Sequence, residues 1–156
     1  VMRKQRAGRI LNISSIGGYR AGAGFGIYSS TKFAVEGISE SLHAELSPLG
    51  IHVTVVEPGY FRTDFLDSSS LTVSPTRIAD YDQTAGKVRS VAEGLSHNQP
   101  GDPQKLADVL IKFVEAPKPP VRLPLGSDTV AAIEAKHAAD AAILGEWRSV
   151  SVSTDF

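Results

Sequence analysis

Two short apolar runs separated by one long helical pattern constrain the fold of this 156-residue chain more than any other feature. Residues 9–13 (RILNI) and 51–57 (IHVTVVE) are typical of buried strands, and the second run is rich in β-branched residues. Between them, apolar residues recur at helical spacing over residues 28–48. A strand, a helix and a second strand in this order indicate parallel pairing with a right-handed crossover. The chain is therefore predicted to be an α/β protein.

The second half of the chain continues this alternation. An Asp-Pro pair at 102–103 predicts the start of a helix, because aspartate caps helices and proline suits the first helical position. Residues 121–125 (VRLPL) are a third strand candidate, and Pro124 would suit an edge strand. Ser127 or Asp128 is predicted to cap a last, alanine-rich helix.

The composition excludes several classes of function. The formal net charge of -1 argues against a protein that binds nucleic acid or an anionic membrane, which usually carries a basic excess. The absence of cysteine excludes disulfides and thiolate metal sites, and it fits a cytoplasmic location. No apolar run approaches the ~18 residues of a membrane-spanning helix. The four histidines show no ligand spacing, so no metal site is expected.

Chemically useful residues follow both of the first two strands. Ser14-Ser15 come directly after the first strand, and Pro58-Gly59 come after the second. In an open parallel sheet, ligands bind beyond the carboxyl ends of the strands. The helix between them opens with Tyr28 and Lys32, which are four residues apart and share one helix face, with Cβ atoms about 5–6 Å apart. A serine, a Tyr–Lys pair and a turn are thus predicted to meet in one cleft.

This set of residue types has a chemical logic. A phenol ordinarily titrates near pH ~10, but a neighbouring ammonium and the positive end of a helix both favour the phenolate. Such a pair can donate or accept the proton when an alcohol and a carbonyl interconvert, and a serine hydroxyl can hold the same oxygen. These groups move only a proton, so a cofactor must supply the hydride.

Three motifs carry a resemblance to a known family. They are Asn-Ile-Ser-Ser ending at Ser15, Tyr28-x-x-x-Lys32, and Pro-Gly-x-x-x-Thr ending at Thr63. Residues 8–63 resemble the catalytic half of the short-chain dehydrogenase/reductase family. The 13-residue interval from serine to tyrosine is the family's usual one and selects Ser15 rather than Ser14.

The resemblance implies a role for each matching residue. Tyr28 would be the acid/base, Lys32 would tune it and hold the nicotinamide ribose, and Ser15 would orient the substrate carbonyl. Three residues would border the nicotinamide: Pro58, Gly59 and Thr63. The implied cofactor is NAD or NADP.

The resemblance also implies a domain organisation. Residues 1–156 would be the carboxyl-terminal, catalytic half of one doubly wound, Rossmann-type domain, with the glycine-rich turn and a catalytic asparagine expected upstream of Val1. Residues 64–100 would be the substrate-binding loop, whose apolar residues favour an apolar alcohol or ketone. Helix 28–48 would join subunits of a homodimer or homotetramer.

Other interpretations of the same residues remain. Gly18-x-x-x-Gly22-x-Gly24 has the spacing of a phosphate-binding turn, but these glycines lie between the serine and the tyrosine, where they would shape the substrate mouth. Each candidate site residue, taken alone, fits a purely structural role equally well. A non-catalytic protein that senses dinucleotides on the same scaffold is the alternative function.

Overall fold

The computed structural model describes residues 1–156 as one three-stranded sheet with helices packed around it. The chain contains three strands and five α-helices, joined in part by 3₁₀ turns. In chain order these elements are α1 (Met2–Gln5), β1 (Gly8–Ile13), α2 (Gly26–Leu46), β2 (Ile51–Pro58), α3 (Ala85–Leu95), α4 (Pro103–Phe113), β3 (Arg122–Leu125) and α5 (Ser127–Val152).

The sheet has the order β1-β2-β3, and both pairs are parallel. Gly8 of β1 lies opposite Ile51 of β2, and Val55 of β2 lies opposite Arg122 of β3. The predicted α/β class and the three predicted strands are confirmed, with bounds that differ by one residue at most at each end. Pro124 lies in β3, which is an edge strand of this sheet, as expected.

The central strand β2 forms the most buried part of the core. Val53, Val55 and Val56 are completely buried, and each such side chain contributes about 1.5–3 kcal/mol through the hydrophobic effect. The hydroxyl of Thr54 is buried as well and donates to the Pro120 carbonyl at 2.7 Å. The carboxyl end of β2 is therefore a firmly held platform for the turn that follows it.

Helix α2 begins at Gly26, two residues before the predicted start, and it crosses from β1 to β2. A 3₁₀ turn follows it, and Gly50 ends the turn in the left-handed conformation at φ 72°, which only glycine adopts without strain. The inner face of α2 buries polar groups. Ser39 is fully buried and accepts a hydrogen bond from the Asn12 amide of β1 at 2.9 Å.

The two predicted helix caps had different outcomes. Asp102 caps α4, and its side chain accepts two backbone N–H groups of the first turn, as predicted. The prediction for α5 is wrong: the N-cap is Gly126, at φ 106°, and Ser127 and Asp128 lie inside the first turn. The Asp128 carboxylate instead accepts a hydrogen bond from the backbone N–H of Tyr60 at 2.7 Å.

The two ends of the segment between β2 and α4 lie next to each other. Phe61 forms an isolated bridge with Gly101, and the Arg62 N–H donates to the Gly101 carbonyl at 2.8 Å. Most residues between these two points are exposed.

None of the helices combines the length and apolar character that crossing a bilayer requires.

Candidate active site

A cleft of about 400 Å³ opens at the carboxyl ends of β1 and β2, beside the start of α2. Its walls include all six site residues that the sequence analysis singled out: Ser15, Tyr28, Lys32, Pro58, Gly59 and Thr63. They come from three separate stretches of chain, which the parallel β1–α2–β2 crossover brings to one edge of the sheet. The predicted cleft is therefore present, with these residues in its walls.

The two serines after β1 lie in different surroundings. Ser14 is buried, and its hydroxyl donates to the Lys32 backbone carbonyl at 3.4 Å. Ser15 is half-buried, and its hydroxyl oxygen accepts the Gly17 N–H at 3.1 Å, which caps a short 3₁₀ turn. Ser15 keeps its own O–H for a ligand in the cleft, whereas Ser14 uses its hydroxyl to hold α2.

Gly18 explains how α2 approaches this loop so closely. A Cβ at Gly18 would lie 2.9 Å from the Lys32 carbonyl, which is closer than real Cβ contacts. This contact gives the glycine a packing role between the loop and α2. Of the glycine-rich stretch only Gly17 lines the cleft, so a role of Gly18, Gly22 and Gly24 at its mouth stays a prediction.

Tyr28 and Lys32 lie in the first two turns of α2 on the face that borders the cleft. The Lys32 ammonium is 5.8 Å from the centre of the Tyr28 ring, and it donates to the Ile13 carbonyl at 3.2 Å. An ammonium has three N–H donors. The hydrogen bond to the end of β1 therefore fixes the lysine while leaving donors for a ligand.

Aromatic rings surround Tyr28. The Phe65 ring lies 5.6 Å from the Tyr28 ring, and the Phe25 ring lies 6.2 Å away in an edge-to-face arrangement. Both distances fall in the range of favourable aromatic pairs. The sequence analysis did not name Phe25, and it placed Phe65 only among the apolar residues of the predicted substrate-binding loop 64–100. Phe25 lies three residues before Tyr28, a spacing that could have suggested it, whereas Phe65 comes from beyond β2 and carries no such signal.

Hydrogen bonds to β3 and α5 hold the turn after β2. The Gly59 N–H donates to the Leu125 carbonyl at 2.9 Å, and the Tyr60 N–H donates to the Asp128 carboxylate. A Cβ at Gly59 would collide with that same carboxylate, so only glycine fits here. Burial, with the Asp128 charge and Tyr28 as further causes, raises the pKa of the Tyr60 phenol. Asp128 was missed as a site residue because it shows only helix-start chemistry in the sequence.

Thr63 lies at the base of the long segment, where a buried amide supports it. The Gln99 side chain is 1% exposed and donates to the Thr63 backbone carbonyl at 3.1 Å. Its carbonyl oxygen, Oε1, is buried at the cleft wall and has no hydrogen-bond partner within the chain. Nothing in the sequence marks Gln99, since it lies 36 residues from Thr63.

Comparisons with known proteins agree with this geometry. The sequence profile described as short chain dehydrogenase matches residues 1–73. The chain is 34% identical to oxidoreductase BOA17 of Botryotinia fuckeliana, over 99% of this chain and 56% of that protein. It is 39% identical to 3-ketodihydrosphingosine reductase of Bacteroides thetaiotaomicron, over 80% of this chain and 46% of that protein.

A solved structure is similar over the whole of the chain. The short-chain dehydrogenase from Streptomyces avermitilis is 40% identical, with a TM-score of 0.87, over 99% of this chain and 55% of that one. The chain thus spans about half the length of the relatives that it matches. On its motifs, its fold and these similarities, the chain belongs to the short-chain dehydrogenase/reductase family.

Proposed function

We propose that the protein is an NAD(P)-dependent oxidoreductase that interconverts an alcohol and a carbonyl, with Tyr28 as the acid/base. The observation that carries this proposal is the meeting of Ser15, Tyr28 and Lys32 in one cleft beside the Pro58-Gly59 turn. Membership of an oxidoreductase family supports the reaction class.

The cleft fits the nicotinamide end of a dinucleotide. Lys32 is the only charged side chain in its walls, and its remaining N–H donors suit the hydroxyls of a ribose. Pro58 and Gly59 line the same cleft as Lys32 and would border the nicotinamide. Thr63, together with the unpartnered Gln99 oxygen, suits a carboxamide. When bound, the dinucleotide supplies or takes up the hydride.

The chain's own groups handle the proton and the position of the substrate. Ser15 donates its O–H to the substrate oxygen and fixes that oxygen beside the Tyr28 hydroxyl. In the reducing direction, Tyr28 gives its proton to this oxygen as the carbonyl carbon gains a hydride. In the oxidising direction, the phenolate takes the proton back. The Lys32 ammonium stabilises the negative charge that Tyr28 carries whenever it is in the phenolate form.

The proposed substrate is an uncharged, largely apolar alcohol or ketone. Apart from Lys32, the walls of the cleft hold no charged group, and their apolar side chains include Phe25, Phe61, Phe65 and Leu66. A charged substrate would lose its hydration there without an ionic partner. The name of the Bacteroides relative, a 3-ketodihydrosphingosine reductase, supports an apolar ketone here as well.

Three further assignments belong to this proposal. Residues 1–156 act as the catalytic half of one dinucleotide-binding domain, and residues 64–100 cover the substrate. Homodimers or homotetramers form through α2, whose outer face exposes Ile27, Phe33 and Ile38. The protein works in the cytoplasm.

Deuterium transfer tests the proposal directly. The natural full-length protein is incubated with NADH or NADPH carrying deuterium at C4 of the nicotinamide and with a panel of alkyl and aryl ketones. We expect a deuterated alcohol from at least one apolar ketone and none from charged ketones. A protein that binds the dinucleotide tightly but transfers no deuterium to any ketone would favour the dinucleotide-sensing alternative instead.

A further inference from the structure

An ionic cluster with two buried glutamates lies next to the proposed site but outside the cleft. Its centre is Arg122 of β3, whose guanidinium donates to three glutamates. One guanidinium nitrogen reaches Glu36 of α2 at 2.6 Å and Glu57 of β2 at 2.5 Å, and the other reaches Glu40 of α2 at 2.8 Å. We call these four residues the Arg122 cluster. It ties one helix and two strands to a single side chain.

The Arg122 cluster carries more negative than positive charge in a place with little water. The Glu57 side chain is 1% exposed and the Glu36 side chain is 5% exposed. Burial raises the pKa of Glu57 from 4.5 to about 7, the hydrogen bond from Arg122 opposes this shift, and the Glu36 charge adds to it. Because desolvation offsets the attraction between buried charges, such ion pairs are weak evidence for net stability, whereas removing one partner leaves an uncompensated buried charge.

Two further side chains connect the Arg122 cluster to the rest of the fold. The Tyr19 ring lies against the guanidinium, with 5.1 Å between the ring centre and Cζ of Arg122. The Tyr19 hydroxyl forms a hydrogen bond with Nε2 of His137 on α5. The loop after Ser15 and the last helix therefore share the same anchor.

The Arg122 cluster touches both elements that carry the proposed reacting groups. Glu36 follows Lys32 by one helical turn and Tyr28 by two, which places it about 6 Å and about 12 Å farther along the axis. Glu57 directly precedes the Pro58-Gly59 turn. The same guanidinium thus fixes the Tyr–Lys helix against the turn proposed to border the nicotinamide.

We propose that Arg122 is a positioning residue, which holds Tyr28 and Lys32 at their working distance from the Pro58-Gly59 turn by clamping Glu36 to Glu57. This inference rests on the proposed function. Its physical basis is that hydride and proton transfer need the reacting groups in near-contact geometry. A displacement of about 1 Å from a change far from the chemistry can cost about 100-fold in rate.

The variants are chosen to stay folded. R122K keeps the positive charge but loses the planar fork that reaches three carboxylates at once. R122Q/E36Q removes one charge of each sign and leaves Glu57 as the only fully buried acid of the cluster. K136Q is the matched control, because Lys136 forms an ion pair with Asp140 within α5 and lies outside the cleft walls.

Two readouts are taken on the natural full-length protein. The first is hydrogen exchange of the backbone over the first turns of α2 and the Pro58–Tyr60 turn, with α4 as an internal reference. The second is kcat and KM with the dinucleotide, NADH or NADPH, and the apolar ketone that give the fastest deuterium transfer. In R122K and R122Q/E36Q we expect exchange at least about tenfold faster in those two places only, and kcat at least about tenfold lower with KM changed less than about threefold. K136Q changes neither.

Two other results of the exchange measurement would overturn the proposal. Unchanged local exchange in both variants overturns the role of Arg122, whether or not the protein turns over a ketone. Exchange that becomes faster everywhere, α4 included, assigns Arg122 a merely structural role and also overturns the proposal. If the unaltered protein transfers no hydride, the proposed function fails, while the exchange data still decide whether Arg122 holds the helix.

Discussion

Helix α2 contains two regions in opposite environments: its first two turns border a cleft, and the inner face of its middle is buried. In its first two turns, Tyr28 and Lys32 are half-buried, border an open cleft and contact aromatic rings and one backbone carbonyl. In its middle, Glu36 and Ser39 are almost wholly buried and are hydrogen-bonded to β3 and β1. The difference shows that one helix leaves its chemical groups available at one end and fixes its position with the next turns. Changes at the first region should alter chemistry, and changes at the second should alter stability and geometry.

The largest expected effect is at Lys32. K32M removes the ammonium but keeps most of the side-chain volume, so turnover should fall by at least about 100-fold as Tyr28 loses its charged neighbour. The free energy of unfolding should change by less than about 1 kcal/mol, because Lys32 is half-buried and makes one hydrogen bond. Steady-state kinetics and urea unfolding measure the two quantities. If K32M lost enough free energy of unfolding to explain the loss of turnover by unfolding alone, the contrast between the two regions of α2 would be contradicted.

The pH dependence of stability should change in E57Q. Because the pKa of Glu57 is about 7 in the folded protein and 4.5 ordinarily, the folded state holds this proton more tightly than the unfolded state does. Glu57 therefore favours folding fully below about pH 4.5, and this contribution is lost as the pH rises to about 7. In E57Q that decline is absent, so the variant should gain about 3 kcal/mol relative to the parent between these pH values.

Urea unfolding at a series of pH values measures this change. The titratable and charged groups around Glu57 are the same in E57Q and in the parent. They are Glu36 and Glu40 on α2, Arg122 on β3, and Tyr19 with His137. Parallel pH curves for E57Q and the parent would show that Glu57 does not titrate in this range.

The glycines around α2 should respond differently to the same substitution. G18A places a Cβ against the Lys32 carbonyl, and overpacking of this kind costs about 1–3 kcal/mol. Gly37 lies inside α2 with open space around it, so G37A should instead stabilise the protein by about 0.5–1 kcal/mol. Thermal unfolding of both variants gives the comparison, and destabilisation by G37A would contradict the exposed position of that helix face.

The smallest effect is expected from Ser39. S39A removes the acceptor of the Asn12 amide and should cost about 1 kcal/mol of stability with turnover unchanged. Ser41, which is exposed on the same helix and bonds only to Glu45, is the control, and S41A should change stability by less than about 0.5 kcal/mol. Equal effects of the two variants would remove the evidence that the middle of α2 is the fixed region.

Local patterns predicted a large part of this structure. Two apolar runs and the helical spacing of residues 28–48 predicted β1, α2 and β2, and the parallel crossover then placed Ser15, Tyr28 and Lys32 at one edge. These predictions succeed because each depends on neighbouring residues or on a rule of handedness.

What escaped prediction depends on contacts between distant parts of the chain. Arg122 meets Glu36 across 86 residues, and in the sequence Glu36 resembles any charged residue on a helix surface. The cap expected at Asp128 failed because a backbone N–H 68 residues away, that of Tyr60, competes for the carboxylate. Phe65 and Gln99 reach the cleft from the long segment after β2, whose path no spacing rule fixes.

The central claim, that Tyr28 carries the proton, is tested most directly by Y28F in the natural full-length protein. Hydride transfer and NADPH binding are measured on the same sample, the first by loss of NADPH absorbance with an apolar ketone and the second by the fluorescence of bound NADPH. The account predicts a loss of turnover of about 100-fold or more with binding changed less than about threefold, because only the phenol oxygen is removed. Turnover within a fewfold of the parent, with NADPH still bound, would contradict it.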